Sequence, residues 1–361
     1  MDVDAWLRLS RAGLVARRWL DLLDRFGSAE AILRADRDAL LAVESVTPRD
    51  CDKIQRAKTD AAVEADQALL EQIGARLLTF QDDGYPRRLK DIYDPPPLLY
   101  VRGELQRREE QAVAIVGTRN CSSYGVVQAE RLAGDLARRG FTIVSGLARG
   151  IDSAAHKGAL DAGGRSLGVM ACGLDVDYPR GHAELKDRLV QSGALLSELP
   201  LGTRPDRSRF PQRNRIVSGL SLGVVVVEAP SRSGALITAG LAVEQGREVF
   251  AVPGDVTNPR NRGCHRLIKD GACLAETAED VVEGLGILLE AVPAREEAPR
   301  PQVDLTDDEA KIVRALSFQP RHVDQVIRDS GLLAAQVTAS LMMLEVKGLV
   351  RRFPGSMFVR L

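Results

Sequence analysis

The chain has 361 residues, 45% hydrophobic and 27% charged, enough for about two or three packed units and too apolar for wholesale disorder. Lys and Arg total 49 against 50 Asp and Glu, so the net charge of -1 excludes a uniformly basic coat and any anion site must come from local clustering. Aromatic residues at 4% are too few to stack a long row of bases.

The five cysteines, Cys51, Cys121, Cys172, Cys264 and Cys273, are odd in number and include no C-x-x-C pair, which argues against disulfides and thiolate zinc sites. The histidines His156, His182, His265 and His322 stand at no metal-ligand spacing, so no metal or cofactor is expected. An acidic start, Met1-Asp2-Val3-Asp4, reads as lacking a signal peptide. The most apolar run, Leu222 to Val227, is too short to span a bilayer. A cytoplasmic protein without membrane association is the expectation.

Residues 1–62 show helical spacing in Trp6-Leu7-Leu9, Trp19-Leu20, Leu22-Leu23 and Leu40-Leu41-Val43, with Gly27-Ser28 as a stop followed by an N-cap. They predict a small helical domain of SAM or helix-hairpin-helix type. A DNA-clamping hairpin would need glycine where Val43-Glu44-Ser45-Val46-Thr47-Pro48 stands, so protein contact or spacing is favoured there. Residues 63–289 form the second predicted domain. In it the apolar runs Ala112–Val116, Phe141–Val144, Ser166–Ala171, Gly223–Val227 and Glu248–Val252 alternate with helical patterns. Continuous apolar runs mean strands covered on both faces, hence a mostly parallel α/β sheet. Residues 290–304 are rich in charge and proline and predict a linker. The remainder, 305–361, predicts helices from Thr306, at Arg321–Asp329 and at Leu332–Val346, then a hairpin turning near Pro354-Gly355, which is a winged-helix pattern.

Ligands of open parallel sheets sit outside the carboxyl ends of the strands, so the loops there carry the candidate chemistry. The first run ends in Val116-Gly117-Thr118-Arg119-Asn120, where Arg119 supplies a planar cation suited to phosphate. The second ends in Ser145-Gly146-Leu147-Ala148-Arg149-Gly150, whose glycines allow either close ligand approach or tight helix packing. Arg204 to Arg215 carries net +4 in twelve residues, with Phe210-Pro211 inside the cluster. Arginines neutralise phosphates and a ring among them can stack on an unpaired base; a solvated basic face is the usual reading of a charge run, but a lone aromatic embedded in arginines fits it less well. Ser231-Arg232-Ser233-Gly234 leads into a helix, where backbone N–H groups with the Ser233 and Thr238 hydroxyls would cradle an anion. No catalytic set, nucleophile elbow or Walker lysine is visible.

Taken together and in this order, these loops resemble the DNA-processing protein A (DprA/Smf) family. The resemblance rests on Tyr85-Pro86, Pro95–Tyr100, Val116–Arg119, Ser145–Asp152, Gly173-Leu174-Asp175, Tyr178-Pro179, Phe210–Ile216, Glu228-Ala229, Ser233–Ala239 and Val252-Pro253-Gly254. It implies an extended Rossmann-like parallel sheet, a homodimer, binding of single-stranded DNA, protection of incoming strands and loading of the RecA recombinase in natural transformation. By position it implies a strand-binding pocket of Arg119, Ser145, Gly146, Arg149, Phe210, Arg213, Asn214, Arg215, Ser233, Gly234 and Thr238, without catalysis. Two alternatives stay open. One is a nucleotide-processing enzyme of phosphoribohydrolase type, although Ser231–Gly234 lacks that class's double glycine and the next acid is Glu244. The other is a duplex-DNA regulator reading through Ala334–Glu345, a segment without lysine or arginine.

Overall fold

The computed structural model describes residues 2–286, 305–317 and 320–360; the predicted linker at 290–304 lies outside them. Six helices open the chain: α1 (Val3–Ala12), α2 (Ala16–Phe26), α3 (Ala29–Arg34), α4 (Arg37–Leu41), α5 (Pro48–Lys58) and α6 (Ala62–Gln72). Their ends follow local rules. Gly13 and Gly27 close α1 and α2 in the left-handed region, and Ser28 caps α3 as the sequence predicts. Thr47 and Asp50 form a reciprocal capping box that brackets Pro48 in the first turn, so the segment compared above with a phosphate-binding hairpin is occupied in starting a helix.

The helical front does not stand apart from the sheet. Leu7, Leu9, Trp19 and Leu22 belong to one continuous apolar cluster with Leu77, Leu98, Tyr100 and Leu195 of the sheet. The Ser10 and Tyr100 hydroxyls are hydrogen-bonded at 2.8 Å across this boundary. Asp66 of α6 pairs with Arg11 of α1 at 2.8 Å, so α6 packs with the front helices, past residue 62.

The sheet comprises β1 (Ala75–Thr79), β2 (Leu98–Gly103), β3 (Ala112–Val116), β4 (Thr142–Ser145), β5 (Ser166–Val169), β6 (Gly193–Ser197), β7 (Gly223–Val226), β8 (Glu248–Ala251) and β9 (Cys273–Leu274). Its order is β1-β2-β6-β5-β4-β3-β7-β8-β9, parallel from β6 to β9, with β2 antiparallel to β6 and β1 antiparallel to β2. The helices between are α7 (Arg87–Lys90), α8 (Ser123–Arg138), α9 (Ile151–Asp161), α10 (Ala183–Ser192), α11 (Arg209–Gly219), α12 (Gly234–Glu244), α13 (Arg262–Lys269) and α14 (Ala278–Gly284). Every residue of β3, β4, β6 and β7 is buried, as expected when α8 and α9 cover one face and α11 and α12 the other. The expected mostly parallel sheet is present. The sequence reading did not register β1, β2, β6 or β9 as strands.

β3 is the pivot of this topology. The chain runs outward from it through β4, β5 and β6, then returns to its other side for β7 and β8. In register, Val113 lies opposite Gly223 and Val116 opposite Val226. The loops after β3 and β7 therefore part in opposite directions, which opens a crevice at the carboxyl edge.

The C-terminal unit contains α15 (Asp307–Ala315), β10 (Arg321–His322), α16 (Val323–Ser330), α17 (Ala334–Val346), β11 (Val350–Phe353) and β12 (Met357–Arg360). Three helices and a three-stranded sheet of order β10-β12-β11 enclose Ile312, Val326, Val337, Leu341 and Leu344, the predicted winged-helix arrangement. Arg351 of its hairpin forms an ion pair with Glu130 of α8.

Candidate nucleic-acid interface

The crevice between β3 and β7 holds a cavity of about 320 Å³. The β3–α8 loop forms one wall with Gly117, Thr118, Arg119 and Asn120; α11 contributes Phe210, Arg213 and Asn214; the start of α12 contributes Ser233, Gly234 and Thr238. The β3–α8 loop is fixed from β7: Thr118 donates to the Glu228 carbonyl at 2.7 Å, and the Ser122 N–H donates to the Glu228 carboxylate at 2.8 Å. A Cβ on Gly117 would come within 2.5 Å of Ile151 and 2.9 Å of the Glu228 carbonyl, so only glycine lets the loop turn this tightly.

Arg119 is exposed at the mouth, its guanidinium 4.5 Å from the centre of the half-buried Phe210 ring. That distance is within cation–π range and keeps a full positive charge against an aromatic face. Tyr178 lies 5.9 Å from the same ring at 54° and packs against it. Deeper in, Arg213 is only 5% exposed and donates to the Val169 carbonyl at 2.5 Å. A Cβ on Gly146 would overlap that guanidinium, which explains the glycine. Burial draws Arg213 below its ordinary pKa; buried Asp152 opposes this, and Arg119 adds like charge. Burial raises the Asp152 carboxyl in turn, against the pull of Arg213 and the Ala148 N–H. The Arg213 Nε, buried, has no hydrogen-bond partner among the described residues. At the opposite wall Ser233 caps α12 by accepting from the Ala235 N–H at 3.3 Å, and the Asn214 amide donates to the Gly234 carbonyl at 3.3 Å. The wall thus combines helix N–H groups with cations around an apolar ring, an arrangement suited to a phosphate joined to a planar base.

Three residues expected in this pocket are placed elsewhere. Arg215 is turned away from it: two guanidinium nitrogens reach the Glu198 carboxylate at 3.0 and 2.6 Å, and the third reaches Asp94 at 2.8 Å. Burial lowers the Arg215 pKa, but Glu198 and then Asp94 outweigh it and hold the group above its ordinary value. Two residues along α11 from Arg213 is about 200° around the helix, so the two arginines point to different faces. Ser145 is fully buried and donates to the Ile115 carbonyl at 2.6 Å, bracing β4 against β3. Arg149 is exposed on the next loop and forms no part of the cavity wall. In the other direction, the wall includes Thr118, Asn120, Asp152 and Arg232, which the sequence reading did not single out as ligand contacts.

Beneath the pocket, His156 is fully buried with Nδ1 2.7 Å from the Ser166 hydroxyl. Burial, with Arg213 and His182 nearby, pushes its pKa down to about 3. Among the described residues no group of His, Cys, Asp and Glu is arranged to hold a metal ion, and no helix is long and apolar enough to cross a membrane.

Comparison with known proteins decides the family. The family model for DNA recombination-mediator protein A matches residues 76–286, more than half of the chain. The chain belongs to this family. The DprA winged helix domain matches residues 296–356. Protein Smf of Escherichia coli is 42% identical over 307 residues, covering 83% of this chain and 81% of that protein. Among solved structures, DNA processing protein A from Streptococcus pneumoniae superposes with a TM-score of 0.69 at 34% identity, covering 78% of this chain and 98% of that one. DNA processing protein A from Helicobacter pylori, described for its unique single-stranded DNA binding mode, gives a TM-score of 0.52 at 29% identity, covering 58% of this chain and 95% of that one.

Proposed function

We propose that this chain is a non-enzymatic mediator that binds single-stranded DNA, protects incoming strands and hands them to the RecA recombinase during natural transformation, as a cytoplasmic homodimer. The observation that carries the reading is Arg119 poised over Phe210 at the mouth of a cavity lined by Arg213 and the start of α12. Family membership and the single-stranded DNA binding of the Helicobacter pylori relative support it. In this reading Arg119 neutralises a phosphate and Phe210 stacks on or wedges beside a base. Arg213, Gly146, Asn214, Ser233, Gly234 and Thr238 form the inner wall, and Arg149 adds charge just outside. Arg215 and Ser145 act as scaffold rather than as contacts, because their polar groups are already satisfied inside the protein.

The enzymatic alternative loses ground on geometry. Glu244, the next acid after the Ser231–Gly234 turn, ends the 11-residue helix whose start lines the pocket, about 15 Å away. The duplex alternative lacks cations where it needs them, since α17 carries no lysine or arginine. A gel-shift comparing single-stranded with duplex DNA tests the proposal. Intact protein should retain the single strand preferentially and Arg119→Ala should lose it; equal retention of both DNAs by both proteins would remove the reading.

A further inference from the structure

A second, larger cavity of about 580 Å³ lies at the amino edge of the same sheet, where the chain enters β3 and β7. Its wall includes Leu105, Leu220 and buried Tyr85, and its cations are Arg87, Arg88 and Lys90 of α7 with Arg107 of the short turn before β3. Acids are present but poorly placed to neutralise them. Buried Glu109 is held by Arg165 at 2.5 Å, and the exposed Asp83 and Glu110 pair with no cation among the described residues.

The backbone gathers like charges here. Arg88 donates through Nε to the Glu110 carbonyl at 3.0 Å, and Arg247, which is not part of the cavity wall, donates to the Arg88 carbonyl at 2.9 Å. Neither meets a carboxylate among the described residues, and the buried Arg247 Nε has no hydrogen-bond partner there. Burial lowers the Arg247 pKa and the like charge of Arg88 lowers it further, with Asp91 pulling the other way. The wall thus sets four cations against the two carboxylates of Asp83 and Glu110 that no cation holds, and guanidinium forks oriented by carbonyls suit phosphate. The cavity is joined to the first one by α11. Phe210, Arg213 and Asn214 of that helix line the carboxyl-edge pocket, while Leu220 at its C-cap lines the second. Eleven residues place the two about 16 Å apart along the helix, within the footprint of one single strand.

We propose that the Arg87–Arg107 cavity is a second binding site for nucleic-acid phosphates, taking a distal stretch of the strand held at Arg119. The proposal rests on the single-strand reading above. The test uses the full chain, with fluorescence anisotropy on thymidine oligonucleotides of about 3 residues, which at about 3.4 Å each are too short to reach both sites, and of about 30 residues. Arg87 and Arg107 are exposed and make no hydrogen bond, so the Arg87→Gln/Arg107→Gln protein keeps its fold, checked by its melting temperature. Its affinity for the long strand should fall about tenfold, with a salt slope shallower by about 1.4 for two lost phosphates, while short-strand affinity is unchanged. Unchanged affinity for both strands overturns the second site, as does an equal loss for both. ATP binding that the double variant loses, with long-strand affinity intact, would replace the strand by a free nucleotide and also overturn it. If the unmodified protein binds neither oligonucleotide, the single-strand reading itself has failed; if it binds both and the variant matches it, only the second site has.

Discussion

The carboxyl-edge pocket and the winged helix both belong to a DNA-processing family, yet they present different chemistry. The pocket sets an exposed guanidinium against an aromatic ring, with a second arginine buried behind them. Helix α17, the counterpart of a groove-reading helix, instead exposes Leu333 at its N-cap and Met342, Met343 and Val346 along its length. All eight Lys and Arg of the winged unit, set against six Asp and Glu, lie off that helix, and Arg351 pairs with Glu130. A fold name therefore does not locate a nucleic-acid surface; the placement of unpaired charge does.

The largest effect that sharpens this comparison concerns the pocket's support. Arg215→Ala leaves the largely buried Glu198 without its cation, with Asp94 at the more exposed end of the pair, and should cost about 3 kcal/mol of stability, read by urea unfolding. Arg215→Ala with normal stability and weakened binding would return Arg215 to the pocket. Acid comes next. His156 has a folded pKa of about 3 against an ordinary value of about 6.5, so the unfolded chain binds the extra proton first. Stability from this group is complete above pH about 6.5 and is lost as pH falls toward 3, about 3 kcal/mol by pH 4.5. His156→Asn should flatten the melting curve's dependence on acid over that window, and an unchanged dependence would remove His156 as its source.

Phe210→Ala should weaken single-strand binding by about 1–3 kcal/mol with little change in salt slope, because a stacking contact releases no counterion. An equal loss from Gln336→Ala or Thr338→Ala would break the contrast between the two regions. Those α17 substitutions should instead leave binding within about 0.5 kcal/mol; Gln336→Ala also removes a helix-capping bond to the Leu333 N–H and one to Asp308, so its effect on stability is the larger of the two.

The sequence made the platform legible because its pattern is local. Runs such as Ala112–Val116 and Gly223–Val227 announce strands covered on both faces, and the loops after them must lie on one edge. Arg119 and Ser233 could be located by that logic; Phe210, which follows the unregistered β6, stands out only by the arginines around it. Arg215 could not: its partners Glu198 and Asp94 are 17 and 121 residues away, and nothing near it in the chain foretells them. Ser145 was misplaced for a related reason, since a hydroxyl at a strand end serves a ligand or a neighbouring strand equally well until the Ile115 carbonyl is seen beside it. β2 hid behind Pro95-Pro96-Pro97, although Leu98–Val101 is fully buried, and the shared core with the front helices depends on Tyr100 meeting Ser10 across 90 residues.

The measurement closest to the central claim is the salt dependence of single-strand affinity for the intact protein and for Arg119→Ala. If Arg119 neutralises a phosphate, its loss should reduce the slope of log affinity against log salt by about 0.7, whatever the base sequence. Superimposable lines for the two proteins would contradict the account.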